Sequence, residues 1–99
     1  MELRHLRYFI AVAEELNFTR AADRLHMAQP PLSQQIQQLE AQLGFQLFRR
    51  TKRTVTLTEA GQVFFEEAQK ILLQVDRAIQ LAQQTSRGEL GQLTIGFVS

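Results

Sequence analysis

Two adjacent prolines, the only ones in the chain, fix where its central helix begins. Proline lacks an N–H and its ring clashes with the preceding helical turn, so Pro30 and Pro31 fit only a first turn. Beyond them Leu32, Ile36, Leu39 and Leu43 recur at intervals of 4, 3 and 4, one face of a helix that Gly44 terminates. Upstream, Ala21, Ala22 and Leu25 form the inner side of a very short helix over 20–25, with Thr19 a good N-cap. His26-Met27-Ala28 lies between the two helices and is long enough only for a turn. From Glu2 to Leu16, Leu3, Leu6, Phe9, Ile10, Ala13 and Leu16 keep helical period. Glu2 there meets the positive end of the helix dipole, and Asn17 is placed to end the helix in a left-handed turn. The middle of the chain therefore reads as a helix-turn-helix.

The period changes after Gly44. Gln46-Leu47-Phe48-Arg49 and Thr54-Val55-Thr56-Leu57 are short, aromatic or β-branched, and separated by polar cationic residues. They predict a hairpin with its tip at 50–53. Thr58 is an N-cap followed by Glu59, and no proline interrupts the chain beyond it. A helix of about 30 residues here would run ~40 Å. Its apolar positions Phe64, Ala68, Ile71, Val75, Ala78 and Ala82 alternate by 4 and 3, flanked by Leu72 and Ile79. This is heptad spacing. Part of the stripe can cover a small N-terminal bundle, and the remainder is expected to meet a second copy of the chain. Gly88 and Gly91 break the pattern, and residues 93–98 read as a buried strand without a partner. The expected fold is an all-α winged helix-turn-helix with a small β-hairpin wing and a long C-terminal linker, or dimerisation, helix. The expected divisions are 1–58 for the winged helix-turn-helix, 59–88 for the linker helix, and 89–99 for a hinge and first strand of a further domain.

Composition excludes several alternatives. The chain has no cysteine, so it carries no disulfide framework, thiolate metal site or cysteine nucleophile. No apolar run approaches the ~18 residues of a membrane span, and charges occupy the N-terminus where a signal peptide needs an apolar stretch. A cytoplasmic protein without a membrane partner is expected. His5 and His26 have no converging ligands, and no nucleophile–base, paired-carboxylate or glycine-rich phosphate motif is present. An enzyme is therefore not expected, nor a cofactor within these residues. The net charge of +1 hides a gradient. Residues 1–58 hold eight basic side chains against five acidic ones, while 59–99 hold three against five.

That cationic half contains the helix-turn-helix. The outer face of its second helix presents Gln29, Ser33, Gln34, Gln37 and Gln38, polar and uncharged. Such side chains read base edges in a major groove, and glutamine suits the N6/N7 edge of adenine. The rings of Pro30 and Pro31 can pack against a thymine methyl group. Phosphate charge is assigned to Arg20 and Arg24 at the short helix, where Thr19 is also a DNA-binding candidate, and to the wing, whose Arg50, Lys52 and Arg53 suit the backbone or a narrow minor groove, separating positioning from reading. The rival is a winged helix that docks a protein through the same glutamine face. It predicts no salt-sensitive binding to duplex DNA.

Several motifs together resemble the N-terminal domain of LysR-type bacterial transcriptional regulators. They are Leu6-x-x-Phe9, Phe18-Thr19-x-Ala21-Ala22-x-x-Leu25, Gln29-Pro30-x-Leu32-Ser33, Ile36-x-x-Leu39-Glu40, Leu43-Gly44-x-x-Leu47-Phe48-x-Arg50 and Leu57-Thr58-x-Ala60-Gly61. The resemblance covers residues 1 to about 88. The opening residues 1–9 with 29–33 are similar to members controlling catabolism of aromatic compounds or small organic acids. The resemblance implies double-stranded operator DNA as partner, an interrupted palindrome bound by a homodimer, and a tetramer built as a dimer of dimers in the intact protein. It also implies a small-molecule co-inducer held by a separate domain, and is compatible with contact to RNA polymerase. One departure is Gln34, where many members carry arginine, which favours an adenine or water-mediated contact over guanine.

Overall fold

In a computed structural model, residues 1–88 are described. The order is α1 (Leu3–Glu15), α2 (Phe18–Arg24), α3 (Gln29–Leu43), β1 (Phe48–Arg50), β2 (Val55–Leu57) and α4 (Glu59–Ser86). This is the expected all-α winged helix-turn-helix with a hairpin and a long last helix. The strand expected at 93–98 lies outside the described residues.

The first helix junction differs from expectation. Leu16, not Asn17, takes the left-handed conformation at the end of α1, with φ 51°. Asn17 instead caps α2, its Oδ1 accepting from the Arg20 backbone N–H at 2.9 Å. Thr19 therefore lies inside α2 rather than capping it. Both Asn and Thr are good N-caps, and the order of the two decides which is used. At Glu2 the α1 start is closed by a capping box with His5, which gives that histidine a structural role.

The strands pair antiparallel with Phe48 opposite Leu57, Arg49 opposite Thr56 and Arg50 opposite Val55. Arg50 thus belongs to β1, and the tip moves one residue on, to 51–54. The tip is closed by threonine side chains. Thr51 Oγ1 lies 2.7 Å from Thr54 Oγ1 and accepts from the Thr54 N–H at 3.0 Å. Thr58 caps α4 as expected, its Oγ1 accepting from the Gly61 N–H at 2.9 Å.

A first compact unit comprises Met1–Gln69. It runs past the expected boundary at 58 and takes in the opening turns of α4. Its core contains Phe9, Val12, Leu32, Ile36, Leu39, Leu47 and Phe48, each almost wholly removed from water. Burying one such side chain contributes about 1.5–3 kcal/mol. Phe9 is central, with ring centroids 5.5 Å from Phe48 and 5.3 Å from Phe64. Ala68 is fully buried. Ala68, assigned to a dimer stripe on its spacing, is thus buried in its own chain, and Phe64 of the same stripe is half-buried beside Phe9. Heptad period reports a buried face without saying what buries it.

Gly61 is the closest seat in this unit. A Cβ there would stand 2.1 Å from the Leu47 carbonyl oxygen. That oxygen accepts from the Thr58 N–H at 3.0 Å, and Thr58 Oγ1 donates to the Gln46 carbonyl at 2.7 Å. The residues leading into the wing are thus fastened to the start of α4.

A second unit begins at Lys70. Within it Ile71, Leu73, Ile79 and Leu81 are exposed, at 42, 63, 51 and 49%. Ala78 and Ala82 are exposed too, and Leu72 and Val75 are half-buried. Apolar side chains are thus accessible on more than one side of this part of α4.

Candidate nucleic-acid interface

The turn between α2 and α3 is built by backbone hydrogen bonds. The Met27 N–H donates to the Ala22 carbonyl at 3.0 Å and the His26 N–H to the Asp23 carbonyl at 3.1 Å. This pair of bonds is the Schellman arrangement, which requires a left-handed residue one position past the cap. His26 fills it with φ 58°, where glycine is usual. The chain then extends at Ala28, and α3 begins at Gln29. Ala28 offers no side-chain cap. Pro30 and Pro31 remove two of the N–H groups that a cap would otherwise serve.

α3 is sorted cleanly into two faces. Leu32, Ile36 and Leu39 are buried. Pro30, Pro31, Gln34, Gln37 and Gln38 are exposed, while Gln29 and Ser33 are half-buried. Gln29, Ser33 and Gln37 follow at intervals of four, with Pro30 and Gln34 beside them. Gln29, Pro30, Ser33, Gln34 and Gln37 thus share one stripe of α3, while the exposed Pro31 and Gln38 lie to one side of it.

The cations fall into two groups. Arg20 in α2, with Arg49, Lys52 and Arg53 in the wing, are exposed. Thr19 shares the exposed start of α2. Arg24 and Arg50 are engaged within the domain. Arg24 donates to Glu14 and Glu15, tying α2 to α1. The hydrogen bond to Glu14 holds its guanidinium above the ordinary pKa, partial burial opposing and the charges of both carboxylates adding to the shift. A cation neutralised by two carboxylates is poorly placed to meet phosphate, which corrects the expectation for Arg24.

Arg50 is held differently. Its Nη2 lies 3.2 Å from Glu40 Oε1, and its guanidinium carbon sits 4.9 Å from the centre of the Phe18 ring. Glu40 Oε2 also accepts from the Leu47 N–H at 2.7 Å and the Phe48 N–H at 3.2 Å. From sequence, Glu40 is only the last residue of the motif Ile36-x-x-Leu39-Glu40, with no role given to it.

Among the described residues no group of three His, Cys, Asp or Glu side chains could hold a metal ion. None of the described helices is long and apolar enough to cross a membrane.

Fold and site together define a winged helix-turn-helix with a neutral polar outer stripe on α3 and a cationic wing tip. Residues 3–62 match the family described as bacterial regulatory helix-turn-helix protein, lysR family, and the chain belongs to it. It is 61% identical over 98 residues to the HTH-type transcriptional regulator AlsR of Bacillus subtilis, covering 99% of this chain and 32% of AlsR. It is 51% identical over 98 residues to BenM of Acinetobacter baylyi, again with 99% of this chain and 32% of the relative covered. The chain thus spans about a third of the length of these relatives. Among solved structures, the complex of the BenM DBD with benA site 1 DNA superposes with TM-score 0.86 at 52% identity, covering 89% of this chain and 99% of that one. The CbnR DBD–DNA complex superposes with TM-score 0.84 at 46% identity, covering 87% and 99%.

Proposed function

We propose that these residues form the sequence-specific, double-stranded-DNA-binding part of a LysR-type transcriptional regulator. The observation that carries the reading is the outward stripe of α3, neutral and rich in amide side chains, on a fold shared with chains solved in complexes with DNA. Gln29, Pro30, Pro31, Ser33, Gln34 and Gln37 read base edges in the major groove. Thr19 and Arg20 meet phosphate at the start of α2, and Lys52 and Arg53 meet it from the wing.

Dimerisation falls to the part of α4 beyond the first unit. Ile71, Leu72, Val75, Ala78, Ile79 and Ala82 share its heptad face, and a second copy of that face supplies the missing cover. Two linked heads then read an interrupted palindrome. The modest local charge of residues 1–58, eight basic side chains against five acidic, limits non-specific affinity, so occupancy relies on both heads binding at once. The intact protein is a tetramer, cytoplasmic, responsive to a small-molecule co-inducer, and a regulator rather than an enzyme. A mobility shift on duplex DNA at two salt concentrations tests the reading. Salt-sensitive, sequence-preferring binding supports it, and the absence of any duplex binding replaces it with a protein-docking role for the same face.

A further inference from the structure

We propose that Arg50 anchors the wing rather than contacting DNA, and that Glu40 and Phe18 are the positioning residues that make it do so. Through them the wing tip is set at a fixed offset from the reading stripe of α3. This deepens the DNA-binding reading and rests on it.

Three elements meet at Arg50. It ends β1, pairs with Glu40 of α3 at 3.2 Å, and lies over the ring of Phe18, the first residue of α2, at 4.9 Å. Phe18 is itself edge-on to the buried Phe48, with centroids 6.0 Å apart. One carboxylate therefore holds both ends of the strand. Its Oε2 takes the Leu47 and Phe48 N–H groups at the entrance, and its Oε1 takes the guanidinium at the exit. The Arg50 and Glu40 side chains are only 29 and 12% exposed. Lys52 and Arg53 are exposed at the tip, as is the Arg50 residue taken whole.

Moving Arg50 to a phosphate would strip Glu40 of its cation. A partly buried carboxylate would then face the nucleic-acid backbone, which repels it. A planar guanidinium is suited to stacking and forked pairing in a way an ammonium is not. From this anchor the tip is two residues away and stiffened by the Thr51–Thr54 hydrogen bonds. The offset of Lys52 and Arg53 from α3 is thereby fixed. That offset selects which phosphates flanking the major-groove site are contacted.

The test uses a duplex selected from a random pool by the wild-type chain, with Arg50→Lys, Arg50→Gln and Glu40→Gln compared by salt dependence of binding and hydroxyl-radical footprinting. The anchor predicts that both Arg50 variants lose about two units of salt slope, those of Lys52 and Arg53. Flanking protection is lost with it, while base preference in the centre is kept. Glu40→Gln moves the same way with the Arg50 charge still present. An Arg50→Lys variant like wild type, beside an Arg50→Gln variant losing about one unit, marks a direct phosphate contact and overturns the proposal. Unchanged slopes in Arg50→Gln and Glu40→Gln overturn it too. Phe18→Leu provides the same comparison should Arg50→Gln fail to fold.

If wild type binds no duplex, the DNA-binding reading falls by itself. The anchor is then judged on the free protein by backbone amide relaxation. Loosened Lys52 and Arg53 amides beside unchanged α3 amides in Arg50→Lys support it, and an unchanged tip refutes it.

Discussion

Replacing Gly61 by alanine is expected to destabilise the N-terminal unit by about 2–4 kcal/mol, although alanine is the better helix former. The added Cβ would lie 2.1 Å from the Leu47 carbonyl oxygen, 3.0 Å from its carbon and 3.1 Å from Thr58 Oγ1. The first of these is backbone, so no rotamer change relieves it, and the helix must retreat by about an ångström. Overpacking of this kind costs about 1–3 kcal/mol. Retreat also stretches the bonds that the Leu47 oxygen accepts from the Thr58 N–H and Oγ1, at 3.0 and 3.3 Å. Each is worth about 0.5–1.5 kcal/mol. The gain in helix propensity returns about 1 kcal/mol. Urea unfolding followed by far-ultraviolet circular dichroism, at matched protein concentration, measures the net. The thermal counterpart is a fall of about 4–8 °C per kcal/mol. Gly44→Ala is the control. Gly44 has φ 84° but nothing within 4 Å of a Cβ, so it should lose only about 1–2 kcal/mol of backbone strain. A Gly61→Ala protein as stable as wild type, or more so, would refute the close approach of α4 to the wing's base.

Three further outcomes are expected. His26→Gly relieves a left-handed non-glycine residue and should raise stability by up to ~1 kcal/mol in the same urea assay, flexibility of the unfolded chain offsetting part of the gain; a loss would show that the His26 side chain contributes to the turn. Arg53→Ala should weaken binding to all duplexes alike and reduce the salt slope by about one unit; a sequence-dependent loss at constant slope would place Arg53 on bases. Ile71→Glu combined with Val75→Glu should sediment as a monomer in analytical ultracentrifugation, and a persistent dimer would move the interface off this face of α4.

The fold was largely legible because its punctuation is strong. Pro30, Pro31 and Gly44 bracket α3, and Thr58 starts α4, each through a backbone requirement that does not depend on distant contacts. Where two suitable caps stood close together, at Asn17 and Thr19, local rules could not choose. The outward face of α3 was legible too, since its buried positions Leu32, Ile36 and Leu39 fix which side faces out. The cations were not. Arg24, Arg50 and Arg53 look alike in sequence, and only tertiary placement shows Glu14 and Glu15 beside the first and Glu40 with Phe18 beside the second. Phe64 and Ala68 share the heptad spacing of the rest of α4, and only tertiary placement shows which part of the stripe covers the bundle, with Phe64 beside Phe9 and Ala68 buried.

The central claim is that the outward stripe of α3 reads bases. Parallel selection of duplexes from a random pool, by the wild-type chain and by Gln29→Ala, tests it most directly. Wild type is expected to enrich an interrupted palindrome. Gln29→Ala is expected to lose preference at one symmetric pair of positions, by about 1–3 kcal/mol of discrimination, with bulk DNA affinity retained. A wild-type pool without any enriched sequence, or a variant pool identical to it, would contradict the claim.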